Sequence, residues 1–282
     1  MLMSNTFGFV VLNYVNYQET IDCVESIAAL PGEARIVVVD NSSPNESFAV
    51  LERRYSGHPR ITVVQSGQNG GYSAGNNVGI KTLRQSGIHD IIVATSDTRV
   101  ETTDLLDRCA IAKRDGIAVV GPYIRGPQQG SQNPMLPRLT LQYIAAIHLG
   151  DVWTYLKRLA FRTILKRRAP PGQGTPVDTS KDPIDVYMVH GCFLYLSEHY
   201  LRQFPELDED LFMYGEEDLI AFNCIRRKLR VVYDPLMRVY HGDAKSTSKE
   251  GDFRSKAVSV SMTTLRRKMP IGKLIHAYVR HA

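Results

Sequence analysis

Five short, continuously apolar runs alternate with helix-like segments over the first part of the chain, and this alternation restricts the fold more than any other feature. The runs are Phe7 to Leu12, Arg35 to Val39, Ile61 to Gln65, Ile91 to Ala94 and Ile117 to Val120. A run without polar alternation is a strand buried on both faces. Between the runs, Ile21, Val24, Ile27 and Ala28 recur at helical spacing until Pro31-Gly32 stops them. Helices are also expected from Glu46 to Tyr55, near Ala74 to Gln85, and from Thr103 to Lys113. Buried strands separated by helices predict an α/β fold with a mostly parallel central sheet and helices on both faces.

In such a sheet ligands sit at the carboxyl ends of the strands. The polar residues expected there are Asn13 and Tyr14, Asp40 and Asn41, the loop from Gly67 to Asn77, and Ser96 with Asp97. Each cluster alone has an ordinary reading. Asp40-Asn-Ser-Ser-Pro44 could be an Asx turn capping the next helix, or Asp40 could accept hydrogen bonds from a ribose or base. Asn69-Gly-Gly-Tyr-Ser-Ala-Gly-Asn-Asn77 is neither a dinucleotide fingerprint nor a GxxxxGK[ST] loop. A glycine loop before a helix nevertheless suits close approach of backbone N–H groups to a diphosphate. Asp97 could cap a turn or hold a divalent metal, and His241, at the end of Arg238 to His241, could be structural or a ligand. The clusters gain weight by converging on one crevice.

The second half is less regular. Loop compositions at 128–134 and 169–176 flank Leu139 to Arg168, which reads as one or two helices broken at Gly150, with Asp151 a candidate N-cap. This piece carries Tyr143, Trp153, Tyr155 and Phe161, with seven Lys/Arg from Arg138 to Arg168 against the single acid Asp151. A strand is expected from Asp185 to Leu196, a helix capped by Ser197, and short strands at Arg230 to Tyr233 and Arg238 to His241. Beyond Asp243 the chain is basic, with Arg266-Arg-Lys268 in a helical tail.

Asp208-Glu-Asp-Leu-Phe-Met-Tyr-Gly-Glu-Glu-Asp-Leu219 leads into a helix with Glu216, Glu217 and Asp218 in its first turn and Arg226, Arg227 and Lys228 at its end. That distribution matches the helix macrodipole and could serve stability alone. Crowded, half-buried carboxylates are also how a protein raises a pKa into the range of a general base.

A net charge of +5 and a pI near 9.0 admit an anionic partner such as a nucleotide, a phosphate or a membrane surface; no nucleic acid is expected. Cys23, Cys109, Cys192 and Cys224 form no Cys-x-x-Cys pair and read as buried free thiols. No apolar run approaches a membrane span, so a cytoplasmic protein is expected, soluble or peripheral on the inner face of the membrane.

Taken in order, these motifs resemble the inverting family 2 glycosyltransferases of the GT-A fold, in particular their bacterial rhamnosyltransferase-like branch. The matching pieces are Val10-Val-Leu-Asn-Tyr14, Val38-Val-Asp-Asn-Ser-Ser43, Asn69 to Gly79, Thr95-Ser-Asp-Thr98, His190-Gly-Cys-Phe-Leu194, Leu207 to Asp218, and Val239 to Ser246. The resemblance implies a Rossmann-like GT-A domain over 1–246, with a nucleotide-binding half (1–125), a helical insertion (126–182), an acceptor and catalytic half (183–246), and a basic tail (247–282). It implies that Asn13, Tyr14, Asp40, Asn41, Gly70, Gly71, Asn76 and Ser96 bind the nucleotide-sugar, and that Asp97 and His241 hold Mg²⁺ or Mn²⁺. The acidic helix start would supply the base, with the register open between Glu217, the first choice, and Asp218, and with Glu216 beside them. The donor would be a nucleotide-diphospho-sugar, dTDP-rhamnose first. The acceptor would be a glycan or lipid-linked glycan of bacterial surface polysaccharide synthesis.

Two departures qualify the match. Thr95 stands where an Asp or Asn is usual, and Glu-Glu-Asp-Leu replaces Glu-Asp-x-Asp-Leu. Thr95 keeps open a nucleotide-diphosphate-binding protein without transferase activity; a dehydrogenase is disfavoured by the missing fingerprint. The Leu139 to Arg168 insertion and the Arg266-Arg-Lys268 tail would suit a membrane surface. The same insertion would equally serve as a homodimer contact or a cover for the sheet.

Overall fold

A computed structural model describes residues 6–127, 130–149, 182–242 and 251–281. The chain opens with β1 (Phe7–Asn13), α1 (Tyr17–Ala28), β2 (Ala34–Asp40), α2 (Ser47–Tyr55), β3 (Ile61–Gln65), α3 (Gly71–Gln85) and β4 (Ile91–Thr95). Next come β5 (Thr98–Val100), α4 (Leu105–Arg114), β6 (Val119–Arg125) and a helix at 141–149, α5. The second half contains β7 (Ile184–Asp185), β8 (Phe193–Leu196), α6 (Glu198–Gln203), α7 (Glu216–Arg227), β9 (Val231–His241), α8 (Gly251–Lys268) and α9 (Ile271–His281).

The strands form one sheet in the order β3-β2-β1-β4-β8-β6-β9-β5, with β7 beside β9. β1 to β4 pair in parallel, as their unbroken apolar sequences require, and β6 pairs in parallel with β9. β8 runs antiparallel between β4 and β6. One face of the sheet packs Val24, Ile27, Leu51, Leu105 and Cys109 from α1, α2 and α4. The other packs Ile80, Leu83, Tyr200, Ile220 and Cys224 from α3, α6 and α7. A third apolar cluster joins Ile144 and Ile147 of α5, Leu219 and Phe222 of α7, and Leu265, Met269 and Leu274 near the C-terminus. Burying each of these aliphatic side chains contributes roughly 1.5–3 kcal/mol relative to exposure, which is enough to dock a helical pair. The segment expected as a basic tail therefore packs against the helix that carries the three acids.

Several expectations need correction. The segment from Asp185 to Leu196 is not one strand: Ile184–Asp185 and Phe193–Leu196 pair within the sheet, Met188 makes an isolated bridge to Leu136, and a turn lies at 191–192. Conversely, the two strands expected at Arg230 to Tyr233 and Arg238 to His241 merge into a single strand, β9, which begins at Val231. It passes through Pro235, which cannot donate to a ladder, because the β6–β9 register shifts between Pro122 and Tyr123. The strand expected at Ile117 to Val120 is β6 and runs later, over Val119–Arg125. All four cysteines are buried and free. Asp151 and the rest of residues 150–181 of the insertion, like residues 128 and 129, lie outside the described residues.

Candidate active site

The register of β1 and β2 sets Asn13 opposite Asp40, so both buried side chains stand at the carboxyl edge of the sheet. Asn13 Nδ2 donates to Asp40 Oδ1 at 2.7 Å, and Thr20 Oγ1 donates to Asn13 Oδ1 at 2.7 Å. Asp40 also accepts from Ser43 Oγ (2.6 Å) and Ser43 N (3.0 Å), the Asx turn anticipated from the sequence. Asn41 Nδ2 reaches Asn69 Oδ1 (2.9 Å) and the Gly71 carbonyl (3.1 Å), tying the second strand end to the glycine segment. Tyr14 is exposed beside them at the rim.

The glycine segment is less of a loop than expected. Helix α3 already begins at Gly71, with Gly70 as its N-cap. Two of the N–H groups expected to cradle a diphosphate are spent within the protein: Gly71 N donates to Asn69 Oδ1 (3.1 Å) and Tyr72 N to the Phe212 carbonyl (2.8 Å). The glycines allow close packing instead. A Cβ on Gly75 would stand 2.5 Å from Leu12 Cδ1, and one on Gly79 would stand 2.5 Å from Val10 Cγ1. Asn76 is buried, donates to the Tyr72 carbonyl at 2.9 Å and leaves its Oδ1 unpartnered.

Asp97 follows β4 and is buried. It accepts from Thr95 Oγ1 at 2.7 Å and lies 3.3 Å from His241 Nε2. Burial pushes its carboxyl up, but the bonds from His241 and Thr95 outweigh burial and hold it down at about 2. Thr98 pairs with His241 in the β5–β9 ladder, which fixes the imidazole over the carboxylate. Ser96, partly buried, offers its carbonyl to Arg99 Nη1 at 3.2 Å. Among the described residues, no three His, Cys, Asp or Glu side chains converge as a metal site.

Sequence reasoning gave no role to the turn at 190–192, which joins these pieces. Gly191 N donates to Glu217 Oε1 (3.0 Å), while the Gly191 carbonyl accepts from Tyr72 Oη (2.5 Å). The Cys192 carbonyl accepts from Thr95 N (2.9 Å), and the His190 ring meets that of His241 edge-on at 5.5 Å. The signal was present as a glycine between His and Cys before a buried strand: a Cβ on Gly191 would stand 2.8 Å from Glu217 Oε1.

The three acids at the start of α7 occupy three environments. Glu216 is only 7% exposed, with Oε2 unpartnered; burial first, then the charge of Glu217, push its carboxyl well up. Glu217 is half-buried at the Gly191 turn and is raised by burial. Asp218 accepts from Tyr143 Oη of α5; burial lifts it to about 6, with the Tyr143 bond opposing that rise. The loop before α7 is gripped from both sides. Asn77 of α3 exchanges hydrogen bonds with Leu207, and Ser261 Oγ of α8 donates to the Met213 carbonyl at 2.7 Å.

The sequence from 9 to 196 matches the model of glycosyl transferase family 2. The chain belongs to this family. One relative, the low-salt glycan biosynthesis hexosyltransferase Agl10 of Haloferax volcanii, is 27% identical over 219 residues. That alignment covers 77% of this chain and 62% of Agl10, so the chain spans less than two thirds of that relative's length. Among solved structures, the fold is similar to GalNAc-T7 with UDP, GalNAc and Mn²⁺ (TM-score 0.61, 15% identity), over 86% of this chain and 44% of that one. It is also similar to S. aureus TarS 1-349 with UDP-GlcNAc (TM-score 0.59, 16% identity, 98% and 71% covered). The mannosyltransferase PcManGT of Pyrobaculum calidifontis with GDP-Man and Mn²⁺ gives TM-score 0.59 at 15% identity, 96% and 68% covered. The family 2 chain thus has the GT-A architecture that the resemblance of its motifs implies.

Proposed function

We propose that this chain is a glycosyltransferase that moves a sugar from a nucleotide-diphospho-sugar to an acceptor hydroxyl, inverting the anomeric configuration, with Glu217 as the base. The observation that carries this reading is the double use of Gly191. Its N–H holds the Glu217 carboxylate, and its carbonyl holds Tyr72 of the glycine segment, so base and donor crevice share one turn. Glu217 takes the proton of the acceptor hydroxyl as that oxygen bonds the anomeric carbon and the bond to the diphosphate breaks. The nucleoside diphosphate departs with the bond's electrons. One displacement needs one base, whereas a retaining hydrolase needs two carboxylates about 5 Å apart.

Asn13, Asp40 and Asn41 are the groups we assign to the nucleotide, with Tyr14 and Ser96 at the rim. Asp97 and His241 offer one carboxylate and one imidazole, a pair that suits Mn²⁺ or Mg²⁺ if the diphosphate and water complete the shell. Such a cation would offset charge on the leaving diphosphate. Thr95 is no substitute for a carboxylate there, but its hydroxyl helps keep Asp97 ionised.

dTDP-rhamnose remains our first donor, on the order and spacing of the motifs. Thermal-shift screening of dTDP-rhamnose, UDP-GlcNAc and GDP-mannose, with and without Mn²⁺, selects the donor; an NMR assignment showing retained configuration in the product would overturn the mechanism.

We further propose a lipid-linked glycan acceptor at the inner membrane face. The Arg266-Arg-Lys268 cluster supports this less than its sequence promised. Arg266 Nε donates to the Ile147 carbonyl, Arg267 pairs with Asp210, and Lys268 pairs with Asp208 and Asp210. Support comes from α9 instead. Ile271, Ile275 and Val279 lie one helical turn apart and are 45%, 42% and 71% exposed, beside exposed Lys273 and Arg280. Among the described residues no helix is long and apolar enough to cross a membrane.

A further inference from the structure

Asp218 accepts from a remote side chain, the Tyr143 hydroxyl of α5, whereas Glu217 beside it accepts from the backbone N–H of Gly191. Several contacts fix that phenol. Tyr143 N donates to Thr140 Oγ1 at 3.1 Å, and its ring stands edge-on to Tyr187 at 5.8 Å. The next residues along α5, Ile144 and Ile147, are buried against Leu219 and Phe222 of α7. Burial first, then the neighbouring charge of Asp218, drive the Tyr143 hydroxyl far above its ordinary pKa, so it remains a donor at every working pH.

We infer that Tyr143 is a positioning residue: by capping Asp218 it withdraws that carboxylate from proton transfer and leaves Glu217 as the one open base. This rests on the reading of Glu217 as the base. The groups facing Asp218 are Tyr143 from α5, Tyr187 from the segment after β7, and Glu217 and Glu216 from α7 itself. A carboxylate that accepts a phenol proton ionises more readily than one that does not. Ionised Asp218 then opposes loss of the proton from Glu217 beside it. The Tyr143 hydroxyl thereby carries an effect of the insertion into the chemistry.

Tyr143→Phe keeps the ring on Tyr187 and removes only the donor. Asp218 then holds its proton to higher pH, and Glu217, beside a neutral neighbour, loses its proton at lower pH. The slow hydrolysis of UDP-GlcNAc, GDP-mannose and dTDP-rhamnose, with water as acceptor, reports this as nucleoside diphosphate release against pH. In both Tyr143→Phe and Asp218→Asn the acid limb of kcat should move down by about half a pH unit with the donor KM unchanged. A limb that superimposes on the parent's in Tyr143→Phe overturns the inference. Should no donor hydrolyse, the carboxyl ¹³C titration of Asp218, identified by its absence in Asp218→Asn, decides: a midpoint raised in Tyr143→Phe supports the inference and an unmoved one overturns it. Glu217→Gln separates the two readings. If it stays active, the base assignment falls and this inference with it; if it is inactive while the Tyr143→Phe limb is unmoved, only the role of Tyr143 falls.

Discussion

Gly71 and Phe212 meet backbone to backbone: a Cβ on Gly71 would stand 1.9 Å from the Phe212 carbonyl oxygen. Gly71 also sits at φ +84°, in the left-handed region that costs other residues roughly 1–2 kcal/mol. The start of α3 is thus pressed against the loop that delivers the acids of α7. Gly71→Ala should lower unfolding stability by at least about 2 kcal/mol, the strain and the clash adding. Urea denaturation checks this, and a midpoint equal to the parent's would disprove the contact.

Glu217→Gln should abolish turnover while donor affinity stays within about twofold, because the base meets only the acceptor in the transition state. Asp97→Ala should do the reverse, weakening nucleotide diphosphate binding measured calorimetrically in Mn²⁺. Retained activity in Glu217→Gln with loss in Asp218→Asn would shift the base by one residue.

Glu216 gives stability a pH dependence of its own. Its folded carboxyl is raised above the ordinary 4.5, so the folded state holds a proton that the unfolded state releases. Stability therefore weakens as pH rises above the unfolded value, by about 1.4 kcal/mol for each pH unit until the folded carboxyl itself ionises. Glu216→Gln should raise the melting temperature at pH near 8 and leave it unchanged at pH near 4. Equal changes at both would show that the carboxyl ionises freely.

Asp97 works in the opposite sense. Its folded value is about 2 against an ordinary 3.8, so its stabilisation is complete above the unfolded value and is lost as pH falls through the folded one. The stability difference between parent and Asp97→Asn should be level above about pH 5 and shrink by about 2 kcal/mol between about pH 4 and pH 2. A flat difference across that window would mean that the His241 contact confers no preference for the charged form.

Replacing Ile271, Ile275 and Val279 by Ser should release the chain from anionic vesicles in co-sedimentation, while Arg267→Ser should lower thermal stability only slightly, since an exposed pair contributes up to about 1 kcal/mol. Recovery in the supernatant with and without vesicles, for the parent chain, would reject the membrane reading.

The β1 to β4 half was legible because its strands are local events: β1, β2 and β4 are apolar runs buried on both faces, the edge strand β3 is buried only at Ile61, and the polar residue after each run falls at the carboxyl edge. Asn13 and Asp40 followed from that rule alone. The turn at 190–192 was not legible, because its shape comes from Asn133 Oδ1 on His190 N and Glu217 Oε1 on Gly191 N, contacts that sequence periodicity does not encode. The start of α3 was misplaced for a related reason: two glycines lower helix propensity, and only the distant Phe212 explains them. Three-residue β5 has no signature apart from its partner β9. The acids of α7 were visible as a group, but their separate environments come from Gly191 and Tyr143, remote in sequence.

The place of β8 has a consequence for synthesis on the ribosome. The half that carries β1 to β4 emerges first, yet β4 gains its neighbour β8 only when residues 193–196 appear, and His241 reaches Asp97 later still. Until then β4 presents an open apolar edge of the kind that recruits other chains. The nascent protein must carry this exposed edge through the making of about a hundred further residues, so its yield should depend on elongation speed and chaperone supply more than on the stability of the finished fold.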